Sequence, residues 1–105
     1  MALICLTSAC QPERPMHKVV YKVKSTSGSV AVAYTQLNGE KSDMVEVKTP
    51  WTKTLSFRNT VVYLLVANPN EYGDISCEIL LDGKSLKFEE SKYPNDKVAC
   101  ALFIP

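Results

Sequence analysis

The chain has 105 residues, with 12 Lys and Arg against 11 Asp and Glu and a formal net charge of +1. That length makes one domain, and 46% hydrophobic with 22% charged residues is the composition of a folding chain, not of a disordered tail. The near balance of charge excludes the strongly basic footprint of a nucleic-acid-binding surface.

Residues 1–10 form a short apolar run, then small residues, then Cys10. The run is too short to span a bilayer, which takes about twenty apolar residues. Its end, Leu-Thr-Ser-Ala-Cys, resembles the close of a bacterial lipoprotein signal, in which the cysteine becomes the lipidated first residue of the mature chain. The basic n-region is missing and Leu6 lies one place too far upstream, so the true start is expected upstream of Met1. Residues 11–16 are polar and broken by proline, which suits a tether between lipid and domain. The domain is read as 17–105. This leader implies a location outside the cytoplasm, membrane-anchored in a periplasm or at a cell surface, where disulfides persist.

The domain reads as short strands. His17–Ser25 alternates, with Val19, Tyr21 and Val23 on one face and lysines on the other. After a Ser-Thr-Ser-Gly turn, Ser29–Leu37 is a second strand. Asn38-Gly39 is a two-residue hairpin signal leading into Lys41–Lys48. Pro50 breaks that strand, since proline cannot donate to the ladder, and Thr52–Arg58 follows. Thr60–Ala67 is apolar on both faces, which marks a strand central in its sheet or wedged between layers. Asn68–Gly73 is a loop. Ile75–Leu81 alternates, Asp82-Gly83 turns the chain into Lys84–Glu89, and Lys97–Ile104 closes the domain. No window carries a helical period. Seven or eight short strands with frequent turns predict an all-β, antiparallel sandwich of the immunoglobulin or transthyretin kind.

Cys77 and Cys100 both fall on inward faces of their strands, where a bridge between them is expected in an oxidising compartment. The competing reading is two separately buried thiols. No zinc spacing occurs and His17 is the single histidine, so no metal or cofactor is expected. Glu89-Glu90, Glu71, Asp74 and Asp96 read as solvated carboxylates. Ser27 lacks the GxSxG frame, and a triad would have to use His17, so the chain is read as non-enzymatic with no catalytic residue. Trp51 either plugs one end of the sandwich or stands in a groove as an anchor. Tyr63, Tyr72 and Tyr93 are further candidates for a ligand or partner surface.

One series of motifs covers nearly the whole domain. Lys-Val-Val-Tyr-Lys-Val (18–23), Val-Ala-Tyr-Thr (32–35), Thr-Pro-Trp-Thr-Lys-Thr (49–54), Gly-Asp-Ile-Ser-Cys-Glu-Ile-Leu-Leu-Asp-Gly-Lys (73–84) and Val-Ala-Cys (98–100) occur in that order. The series resembles the extracytoplasmic domain of the small mycobacterial membrane proteins, the MmpS family. That resemblance implies a β-sandwich whose disulfide would join Cys77 and Cys100. It also implies an accessory role beside large resistance–nodulation–division-type transporters that export lipids and siderophores. Members of that family are held by a transmembrane helix, whereas this chain carries a lipoprotein-like leader. The resemblance implies no catalytic residues. A cell-envelope module serving a membrane transport complex is therefore the expected function. The alternative is a small envelope inhibitor lipoprotein of the lysozyme-inhibitor type, echoed faintly by Ser27-Gly28 followed by Tyr34.

Overall fold

A computed structural model describes residues 15–105, and every described element is a β-strand. In chain order these are β1 (His17–Ser25), β2 (Ser29–Tyr34), β3 (Val45–Lys48), β4 (Trp51–Phe57), β5 (Thr60–Ala67), β6 (Ile75–Leu81), β7 (Lys84–Ser91) and β8 (Lys97–Ile104). They form two four-stranded antiparallel sheets, β4-β1-β6-β7 and β3-β2-β5-β8. The expected sandwich is thus present with eight strands.

Alternation explains the packing. Along β1, Val19, Tyr21 and Val23 are fully buried, while Lys18, Val20, Lys22 and Lys24 face outward. Their register partners on β6, Leu81, Ile79 and Cys77, point inward with them. From the other sheet, Val30 and Val32 of β2, Val62, Leu64 and Val66 of β5, and Val98, Cys100 and Ile104 of β8 complete the core. A period of two on both sheets gives one buried layer, and each buried Val or Leu contributes about 1.5–3 kcal/mol.

The Asn38-Gly39 turn forms, but its strands are shorter than the sequence predicts. β2 ends at Tyr34, only an isolated bridge joins Thr35 to Lys41, and β3 begins at Val45. The reason is local hydrogen bonding that competes with the ladder. Gln36 N–H donates to the Glu40 carbonyl at 2.8 Å, Gly39 N–H to Gln36 at 2.9 Å, and Tyr34 N–H to Ser42 Oγ at 3.0 Å. Pro50 stands where the chain leaves the β3 edge of one sheet and joins the β4 edge of the other.

One end of the sandwich is knitted shut. Thr26 N–H donates to the Asp74 carbonyl at 3.0 Å and Asp74 N–H returns a bond to Thr26 Oγ1 at 2.7 Å. Asn70 Nδ2 reaches the Ser29 carbonyl, and Asn95 N–H reaches the Asn70 carbonyl. Gly73 makes this closeness possible: at φ +96 a Cβ would come within 2.7 Å of the Ser27 Cβ.

At the opposite end, the β6–β7 turn is tied to the start of β1. Asp82 receives the Lys18 N–H at 2.9 Å and contacts His17 Nδ1 at 2.6 Å. The hydrogen bond from His17, then that from Lys18, holds the Asp82 carboxyl below its ordinary value of 3.8. A depressed carboxyl stabilises the fold above the unfolded-state value and loses that contribution as pH falls through the folded-state value. Asp82→Asn should therefore melt earlier than wild type at pH 7. The gap should close as the pH falls below the ordinary carboxyl value of 3.8 and through the depressed one, measured by thermal melts across a pH series.

Candidate functional site

Cys77 on β6 and Cys100 on β8 are fully buried and bonded to each other, with Cα atoms 6.2 Å apart. The bridge joins the two sheets. Its sulfurs are shut off from solvent, so its role is structural.

Between the sheets runs a short aromatic ladder. Tyr21 lies in the core with its hydroxyl donating to the Thr35 carbonyl at 2.9 Å. Its ring meets Tyr34 at 5.6 Å, and Tyr34 meets Trp51 at 5.6 Å, both tilted. These are favourable aromatic geometries. Burial pushes the Tyr21 phenol well above its ordinary value of 10.0, so it stays a neutral donor. Lys53 reaches over the Tyr34 ring at 6.0 Å. Beside it, Tyr34, Gln36, Leu37, Asn38, Lys53 and Leu55 line an open groove of about 380 Å³.

The outer faces of the two sheets differ. On β4-β1-β6-β7 the outward positions are mostly polar, Lys18, Lys22, Lys24, Thr52, Thr54, Ser56, Glu78 and Glu90, with Val20, Leu80 and the exposed Phe88 set singly among them. On β3-β2-β5-β8 they are apolar. Val61 lies opposite Phe103, Tyr63 opposite Ala101 and Leu65 opposite Ala99, with Ala33 beside Leu65. Val61, Tyr63 and Phe103 are 44%, 46% and 56% exposed. Lys41 stands over the Tyr63 ring at 5.4 Å, and Lys48 and Lys97 flank one end of the face. A contiguous apolar sheet face with a charged rim is the mark of an interaction surface.

The residues singled out from the sequence fall in three places. Trp51 sits half-buried between the sheets against Tyr34. Tyr63 is central on the apolar outer face. Tyr72 and Tyr93 are exposed on the loops of the knitted end, where Asn70 and Asn95 are bonded. Cys10 and residues 11–14 of the tether lie outside the described residues. Ser27 Oγ is engaged with Ser25 and the Ser29 carbonyl, and His17 with Asp82. Sequence reasoning did not name Val61, Leu65 or Phe103 as surface residues. The double apolarity of Thr60–Ala67 predicts a strand central in its sheet or wedged between layers; β5 is central, and its outward side chains stay uncovered.

Among the described residues, no group of His, Cys, Asp and Glu could hold a metal ion. No described helix is long and apolar enough to cross a membrane. No curated protein matches the chain. A family model described as Mycobacterium membrane protein matches residues 6–102, which span the sandwich up to the last residues of β8 and include both bridged cysteines. The chain therefore belongs to the Mycobacterium membrane protein family.

Proposed function

We propose that this chain is a non-enzymatic module of the cell envelope, held to a membrane by lipid on Cys10, whose sandwich domain serves a membrane transport complex as an accessory subunit. Membership of a membrane-protein family supports the envelope setting. The observation that carries the accessory role is the apolar outer face of β3-β2-β5-β8. Val61, Tyr63 and Phe103 leave a row of large side chains in water on a sheet whose other side already holds the core. An uncovered apolar face of that kind fits a protein partner better than it fits chemistry.

Two measurements test the reading. Radiolabelled palmitate, supplied to cells making the chain behind a complete upstream signal, should label wild type but not Cys10→Ala. Equal labelling, or none in either, overturns the anchor. A photocrosslinking residue at Tyr63 or Phe103 should capture a membrane transporter, whereas one at Ser56 on the polar face should not. Capture from Ser56 alone, or none from any position, overturns the accessory role.

A further inference from the structure

The two sheets expose four strand edges, and three of them are defended against pairing with another chain. β4 follows Pro50 and carries Lys53 on its inward side, a charge that a pairing strand would have to bury. β3 has only 4 residues, including Glu46 and Lys48. β7 bears Lys84, Lys87, Glu89 and Glu90, and its register with β6 is interrupted by a bulge between Ile79 and Leu80. β8 has none of these devices. After Lys97 it runs Val-Ala-Cys-Ala-Leu-Phe-Ile to Ile104 without a charge, a proline or a register shift. Among the described residues β8 pairs with β5 alone.

The space beside that edge is open. The disulfide fixes β6 over β8, so β7, the next strand of its sheet, overhangs the β8 edge. At the start of β8 a groove of about 610 Å³ is lined by Glu89–Ser91 of β7, by Lys92, Tyr93 and Asp96 of the connection, and by Lys97–Ala99 of β8. β7 is exposed from Lys84 to Glu90, so the underside of the overhang is uncovered. Leu102 points inward yet is only partly buried. Glu89 faces the same side of its sheet as Cys77, toward the groove. Among the described residues it has no ion-pair partner.

We propose that β8 is a docking edge for an extended segment of a partner protein, which adds as a fifth strand to β3-β2-β5-β8 beneath β7. The main chain of that segment satisfies the free N–H and C=O groups of β8, and alternate side chains set the specificity. Those turned toward β7 include a lysine or arginine for Glu89. Those turned outward are apolar and extend the row that Phe103 and Ala101 begin. This inference deepens the accessory reading by naming where the partner is met. It fails separately, because palmitate labelling and crosslinking from Tyr63 do not depend on β8.

The probe is a blocked synthetic octapeptide that alternates valine and threonine and carries one central lysine. It is titrated into the oxidised, ¹⁵N-labelled full chain. Saturable shifts are expected in the β8 amides and in Glu89 and Glu90. N-methylation of alternate peptide nitrogens should weaken binding at least tenfold, because a methylated nitrogen cannot donate to the edge. As a second variant, an Asn-Gly turn and a seven-residue strand are appended after Pro105, so that the chain folds back along its own β8. This extension should abolish peptide binding and raise Tm. The proposal is overturned if β8 amides stay unmoved at millimolar peptide, or if the N-methylated peptide binds as well as its parent. Shifts confined to the outer-face residues Val61, Tyr63 and Phe103 overturn it equally, since they place binding on the face.

Discussion

Reducing the Cys77–Cys100 bridge should lower the melting temperature by on the order of 12–24 °C. The bond closes a loop with a sequence separation of 23. In the chain-entropy model a loop of that size removes about 3 kcal/mol of conformational freedom from the unfolded chain. A domain near a hundred residues moves roughly 4–8 °C per kcal/mol, which gives the expected shift. Serine substitution adds a cost in the folded state. The bridge is the covalent link between the sheets, and both sulfurs lie in a fully buried layer. Cys77→Ser and Cys100→Ser place a hydroxyl there, and burying one without a partner costs about 1–3 kcal/mol more. The single variants should therefore melt below the reduced wild type, and Cys77→Ala with Cys100→Ala should lie between. Scanning calorimetry with and without reductant is the measurement, and coincident melts for oxidised and reduced protein would refute the account.

Tyr21→Ala should be the most damaging single substitution outside the bridge. The ring is fully buried at the centre of β1, and truncating a large buried aromatic costs about 3–5 kcal/mol. It also removes the contact with Tyr34, on which Trp51 leans in turn. Tyr21→Phe separates the two contributions. It keeps the ring and leaves the Thr35 carbonyl without the phenol donor, which should cost about 1–2 kcal/mol. Chemical denaturation of the three proteins gives both numbers. A Tyr21→Phe loss as large as that of Tyr21→Ala would assign the effect to the hydroxyl alone.

Most of the architecture was legible in the sequence because one face of each strand is buried. His17–Ser25, Thr60–Ala67 and Lys97–Ile104 have the bounds that alternation and turn residues predicted. The pairing of Cys77 with Cys100 was legible for the same reason, since both occupy inward positions. Three features were not. Side-chain bonds to Ser42 and Asn38 shorten the β2–β3 hairpin, and such competition leaves no periodic signature. The continuation of β7 through Ser91 was missed because its charged residues read as loop, whereas they belong to a strand exposed on both faces. The exposure of the outer face of β3-β2-β5-β8 was the third: the apolar run of Thr60–Ala67 predicts a central strand, which β5 is, but says only that the strand dislikes water. It does not say whether another part of the same chain will cover it. The aromatic candidates illustrate that limit: Trp51, Tyr63, Tyr72 and Tyr93 look alike in sequence, yet they occupy the inter-sheet space, a sheet face and the end loops.

The strand at which the chain enters the sandwich also fixes how the domain stands. His17 pairs with Phe57, Thr60 with Ile104, and Asn59 N–H donates to the Pro105 carbonyl at 2.9 Å, so β1 begins and β8 finishes at the same end. A domain held from the N-terminal side of His17 raises its strands away from the attachment point like fence posts. The knitted loops with Tyr72 and Tyr93 then form the far tip, about 30 Å away at the usual rise of a nine-residue strand. β8 climbs that full height, with Ile104 near the attachment and Lys97 at the top. A segment that lies along its edge runs the same height, from the end where the chain enters to the knitted tip.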